Sequence, residues 1–263
     1  MRLFKANPVF ILLILASLIS TGAPAATIDN YGEAINQAGR QRMLSQRMVK
    51  AFAQIGLEVW YASPRDQLKN AMQLYQTQLN NLIEFAVTAK SQDALKHAET
   101  VWQQYKALAE GNVNKKNLIR LNQKSEELLA ASQAVVQALV EEAQATAKAQ
   151  IVDISGRQRM LSQRMAKFYL LLSWGLNDPL YKDEFNKAKQ EFSTALEKLN
   201  GSSLNTAEIK EALVEVDRQW RFFQLTRIMG EDSYLPSIVA RTTETLLKDM
   251  NRITGMYAKI SGQ

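Results

Sequence analysis

GRQRMLSQRM occupies Gly39–Met48, and the same ten letters return at Gly156–Met165. The offset is 117 residues, and weaker landmarks keep to it within a residue or a few. Ser63-Pro64 after Trp60 answers to Asp178-Pro179 after Trp174, and Trp102 answers to Trp220. Leu118, Glu127, Leu129 and Val136 answer to Leu235, Glu244, Leu246 and Ile253. A fixed internal period of this kind marks two copies of one structural unit. Identity confined to ten residues, with drift elsewhere, points to a task that holds the box and not its surroundings.

Each unit reads as four helices. Ala, Leu, Gln, Glu, Lys and Arg dominate, Gly and Pro are scarce, and Cys is absent. These side chains lose little rotamer freedom in a helix. In the first copy, helix one runs from about residue 28 to 62, and Ser63 caps a second helix that has Pro64 at its first position. Ser91 starts a third helix ending near Gly111, and a fourth begins around Asn114. In the second copy Asp178-Pro179 repeats the cap with proline, Asn205 and Glu208 form a capping box, Gly230 marks a stop and Ser233 caps the last helix. Short connections make neighbours antiparallel. The expected fold is all-α: two tandem antiparallel four-helix bundles, at 26–145 and 146–263, joined by a long continuous helix, since residues 114–155 hold neither Gly nor Pro. A kink near Thr146 or Ser155–Gly156, folding the bundles side by side, is the alternative.

The first residues read as an export signal. Arg2 and Lys5 precede an apolar run at Val9–Ile19, and Ala23-Pro24-Ala25 offers a small-x-small cleavage site. Residues 1–25 are expected to be removed, placing the protein in the periplasm; an uncleaved signal acting as a membrane anchor is the alternative. Loss of Arg2 and Lys5 takes the formal charge from +6 to +4. An exported chain of this modest charge does not read as a nucleic-acid binder.

The box is unusual as helix surface. At heptad spacing the first helix reads Ile35, Ala38, Arg42, Ser45, Val49, Phe52, and the second copy reads Val152, Ser155, Arg159, Ser162, Ala166, Tyr169. One arginine and one serine per copy interrupt an apolar seam. Arg40, Arg47 and Lys50, with Arg157, Arg164 and Lys167, lie to the side nearer solvent. Between Ala34 and Leu57, and again between Ile154 and Asn177, there are three Arg and one Lys and not one Asp or Glu. A guanidinium turned into packing must be compensated by another helix, a partner chain or a bound anion. A planar guanidinium presents paired donors that match a planar oxyanion, and Gly39 and Gly156, one turn before the key arginines, let a second helix approach. The rival reading is a helical surface whose arginines reach solvent.

These residues resemble the signature of the PilJ-type sensor domain of type IV pilus chemotaxis transducers, related to the periplasmic sensor of the NarX/NarQ nitrate and nitrite kinases. The kinases' ligand box resembles I-N-x-A-G-x-x-R-M-x-S-x-R, and Ile35–Arg47 fits it throughout. The second copy keeps Gly156, Arg159, Met160, Ser162 and Arg164 but has Val152-Asp153-Ile154-Ser155 before Gly156. The resemblance implies a four-helix sensor bundle in which the arginine before Met coordinates the anion together with its equivalent across a two-fold axis. By position that role falls to Arg42 and Arg159. Those sensors pass a piston-like shift through an exit helix that this sequence does not show, and Arg40, Gln41 and Gln46 differ from the usual kinase residues, so the ligand need not be nitrate.

The expected ligand-binding set is Arg42, Arg159, Gly39, Gly156, Ser45 and Ser162, with Arg40, Arg47, Arg157 and Arg164 supplying secondary positive potential. The expected partners are a small anion and a membrane-bound receptor or pilus component. The two boxes meet either within one chain or across a homodimer. The alternative function is an interaction module whose arginines dock acidic partner surfaces. Nothing reads as an enzyme: the single histidine, His97, lies on a polar stretch, no carboxylate cluster suggests a metal, and no cofactor is expected.

Overall fold

A computed structural model describes residues 28–225 and 235–262. Eight helices span α1 Tyr31–Gly56, α2 Pro64–Phe85, α3 Ala89–Ala109, α4 Lys115–Glu142, α5 Ala147–Ser173, α6 Pro179–Asn200, α7 Ala207–Leu225 and α8 Pro236–Ser261. There is no strand among the described residues. The expected export signal, the stop expected at Gly230 and the cap expected at Ser233 lie outside the described residues.

The caps explain most boundaries. Asn30, Thr88, Asn114 and Thr146 each accept a hydrogen bond from the backbone N–H three residues on, and Asp178 accepts from Leu180. Helix three is therefore capped by Thr88 and begins at Ala89 rather than at Ser91. Ser63 stands at the N-cap of α2 before Pro64, but its hydroxyl donates to the Asp66 carboxylate and caps no backbone group. The Asn205–Glu208 box does not form. Thr206 caps α7 through the Ile209 N–H, and the Asn205 amide donates instead to the Leu199 carbonyl.

α1–α4 and α5–α8 each close into an antiparallel four-helix bundle. The expected continuous helix between them is absent. α4 ends at Glu142, and Gln144 and Ala145 take left-handed φ values of 58° and 46° before Thr146 caps α5. No glycine eases this turn, so the break carries a backbone cost. What offsets it is tertiary: the chain folds back and lays α5 along the whole of α1, forming the largest contact in the molecule.

α1 and α5 run parallel. Gly39 faces Gly156, and toward their C-terminal ends Gly56 faces Trp174. A Cβ at Gly56 would fall 1.8 Å from the Trp174 indole, so only glycine fits. Because α1 is also covered by α2, α4 and α8, and α5 by α6 and α8, both central helices are buried on nearly every face. Lys50 and Lys167, expected beside solvent, are wholly buried as a result. Away from the α1–α5 seam the core is mainly apolar and aromatic, with Tyr75 stacked on Trp102 and Phe192 packed on Trp220 at equivalent places.

Candidate functional site

The buried seam between α1 and α5 is polar. Its centre is the Gly39–Gly156 contact. A Cβ on either glycine would meet the Nη2 atoms of both Arg42 and Arg159 at 3.2–3.4 Å and the facing Cα at 3.8 Å. The two box arginines thus converge on one point inside a single chain, and both are fully buried. Their approach follows from helix geometry: long side chains lean toward the N-terminus of their own helix, so each arginine reaches back past the facing glycine.

Each then grips the other copy. Arg42 Nη1 donates to Gln133 Oε1 (2.6 Å), and its Nη2 donates to the Asp153 carbonyl (3.3 Å) and lies 2.7 Å from Asp153 Oδ1, an ion pair by distance rather than an aligned hydrogen bond. Arg159 Nη1 donates to Asn36 Oδ1 (2.9 Å) and Asn251 Oδ1 (3.1 Å), and its Nη2 donates to the Asn36 carbonyl (2.9 Å). Asn36 and Asp153 are equivalent positions, as are Gln133 and Asn251. The clamp is reciprocal, with one chemical difference: Arg42 has a carboxylate partner and Arg159 has amides. Arg159 has no carboxylate partner; Glu33 stands one step removed, accepting from the Asn36 amide at 3.0 Å. Both Nε atoms of the pair, and that of Arg40, are buried without a partner.

Burial pulls both arginines below their ordinary pKa. For Arg42 the Asp153 carboxylate opposes that pull. For Arg159 the charges of Arg40 and Arg42 add to it and only Glu33 opposes. A guanidinium does not release its proton under such a pull; the direction marks a buried positive charge short of counter-charge.

A second polar layer lies one turn along. Arg47 donates to both Glu244 oxygens at 2.8 and 2.9 Å, and Lys50 pairs with the same carboxylate. In the other half Arg164 donates to both Glu126 oxygens at 2.9 and 2.8 Å, Lys167 pairs with Glu126, and Arg164 also reaches Glu184 at 2.7 Å. Both glutamates come from the opposite copy, so these pairs tie the bundles together. Glu126 and not Glu127 is therefore the equivalent of Glu244: α4 and α8 keep an offset of 118. Burial lowers Lys50 and Lys167 to about 8. Burial pushes Glu126 and Glu244 up, but the neighbouring cations outweigh it and hold both below the usual carboxylate range.

The other expected residues fall as follows. The hydroxyls of Ser45 and Ser162 are buried and donate to the Arg42 and Arg159 carbonyls, each at 2.8 Å. Arg157 is exposed and paired with Glu191 at 2.8 Å, whereas Arg40 is half-buried and touches Asn251 at 3.4 Å. The charges of Arg47 and Arg164 are met by glutamates, so the secondary positive potential expected from them is largely offset. His97 is exposed on α3, and no group of three or more His, Cys, Asp or Glu side chains is gathered among the described residues. The acids that answer the box, Asp153, Glu126 and Glu244, went unassigned in the sequence. The missing acids of the two boxes were the signal that partners had to come from elsewhere.

The described residues form an all-helical pair of bundles built around a buried arginine seam. The chain belongs to the PilJ family, described as the type IV pili methyl-accepting chemotaxis transducer N-terminal domain, which matches residues 25–134 and 142–226. PilJ domains are sensory and non-catalytic, and they typically face the periplasm. No curated protein and no solved structure matches the chain. No helix among the described residues is long and apolar enough to cross a membrane.

Proposed function

We infer that this protein is a periplasmic sensor module that binds one small oxyanion, of the nitrate or nitrite kind, between Arg42 and Arg159 and reports through a membrane-bound chemotaxis or pilus partner. The observation that carries this reading is the convergence of two fully buried guanidinium groups on the Gly39–Gly156 contact with a single carboxylate, Asp153, in direct contact with the pair. Two cations against one close anion leave a charge that a monoanion would neutralise, and both Nε donors are without partners. Asn36, Asn251 and Gln133 are neutral acceptors; an anion exchanged for one of them makes a stronger, charge-assisted bond. Within this reading the tandem repeat supplies in one chain what the related kinase sensors, by resemblance, obtain from two subunits. Docking of acidic partner surfaces on Arg42 and Arg159 has no support, because neither side chain reaches the surface.

The test is a melting-temperature series in sodium nitrate and sodium nitrite against sodium gluconate at constant ionic strength. Binding to the folded state alone stabilises by about 2.7 kcal/mol at a hundred times the dissociation constant. The wild-type protein should melt higher in nitrate or nitrite than in gluconate. Arg159→Lys, which keeps the charge but loses the planar fork, should lose that difference while remaining folded. No difference in the wild-type protein, or an undiminished one in Arg159→Lys, overturns the reading.

A further inference from the structure

The pseudo-symmetry exposes a second place where the halves differ. Beside α5 and α6 runs a cleft of about 140 Å³ with Arg157 and Arg164 on its wall. Glu191 and Glu184 of α6 stand in it and pair with those arginines at 2.8 and 2.7 Å. The equivalent cleft between α1, α2 and α8 opens to about 450 Å³. Its wall carries Arg40 and Arg47 at the same places, but α2 offers Leu74 and Gln67 where α6 offers Glu191 and Glu184. Two residues pulled back to apolar or neutral side chains leave the arginines and the cleft but take away the carboxylates.

Three details mark the larger cleft as unfinished. Arg40 has one long contact, to Asn251 at 3.4 Å, and a buried Nε without a partner. Gln67 is 7% exposed, and its amide donates to the Tyr61 and Ala62 carbonyls while its Oε1 is buried and unpartnered. The one acid lining the cleft, Glu244, is already shared by Arg47 and Lys50. Of the two vacated acid places, the one at Arg40 leaves its arginine with no carboxylate at all, beside Met43, Leu247 and Leu74.

We propose that this cleft is a binding site for a small organic monocarboxylate, whose carboxylate takes at Arg40 the place that Glu191 takes at Arg157 and whose apolar body lies on Met43, Leu74 and Leu247. The occupied cleft of the second copy sets the chemistry, because the planar carboxylate seated there matches the guanidinium fork. One carboxylate is enough, because Arg47 keeps Glu244 although the place of Glu184 is vacant beside it, whereas Arg40 keeps no acid. The site adjoins the oxyanion site, since Arg40 and Arg159 both reach Asn251 Oδ1, but it uses neither Arg42 nor Arg159.

Isothermal titration of the full-length chain with sodium hexanoate and with leucine, at constant ionic strength, tests it, with 1-hexanol as the uncharged control. One equivalent of hexanoate or leucine should bind, and hexanol should not. Leu74→Glu supplies the internal acid at a surface position. It should weaken the acid about tenfold or more and raise the melting temperature without ligand. Arg40→Ala should weaken binding to a similar degree, and Arg157→Ala should leave it unchanged. The proposal fails if neither acid binds, if Leu74→Glu binds as the wild type does, or if Arg157→Ala weakens binding as much as Arg40→Ala.

Discussion

In the second copy, Arg157 and Arg164 of α5 reach Glu191 and Glu184 of α6, and Asp153 stands beside the buried pair. In the first copy, Arg40 and Arg47 of α1 face Leu74 and Gln67 of α2, and Asn36 stands where Asp153 does. The cations are kept in both halves while the acids are concentrated in one. A buried cation without an acid is costly, so the cleft beside α2 is the side to which our proposal assigns a negative charge from outside. Around one shared seam, the cleft beside α6 carries its own acids and the cleft beside α2 does not.

The sharpest way to break this comparison is to remove the glutamates that cross between copies. Glu244→Ala strands two cations, Lys50 and Arg47, and should cost about 3–5 kcal/mol, the usual penalty for breaking a buried ion pair. Glu126→Ala should cost visibly less, because Arg164 keeps Glu184 and both Arg164 and Lys167 lie against the Phe168 ring, at 4.9 and 4.2 Å. Urea unfolding of the two variants side by side decides it; equal losses would erase the asymmetry.

Acidification probes the same pairs. A carboxylate whose folded pKa is depressed contributes stability above its unfolded value and loses it as pH falls through the folded one. Stability should therefore decline below the ordinary carboxylate range near pH 4.5, and Glu244→Gln should flatten that decline more than Glu126→Gln in urea midpoints taken across the acid limb.

Asp153→Asn makes the central clamp chemically symmetric. Arg42 then loses its only carboxylate, and the expected loss is about 1–3 kcal/mol in gluconate buffer. That loss should be partly recovered in nitrate if the anion takes the vacated charge, which denaturant curves in the two salts would measure. The smallest effect belongs to Arg157→Ala. It removes an exposed ion pair and should change stability by less than about 1 kcal/mol.

The repeat, the helical class and the proline-marked starts of α2 and α6 were legible in the sequence because local chemistry sets them. The turn at 143–146 was not. Gln144 and Ala145 are ordinary helix formers forced into left-handed backbone by the gain from docking α5 on α1, a gain that no local window contains. The same limit applies to the site. Arg42 and Arg159 stood out as polar members of an apolar seam, but Gln133, Asp153, Asn36 and Asn251 lie between 91 and 123 residues away in the chain from the arginine each serves. Lys50 and Lys167 read as solvated because helical periodicity supposes one covered face, and here the opposite copy covers a second.

The acid paired with Lys50 and the acid paired with Lys167 are each donated by the other half of the chain. Neither half is thus equipped to stand alone: cut free, each would present a strip of lysine and arginine where its neighbour had been. Chain fragments severed in the 143–146 turn should stay unfolded apart and regain helicity when mixed, which makes this protein a candidate for split-reporter complementation.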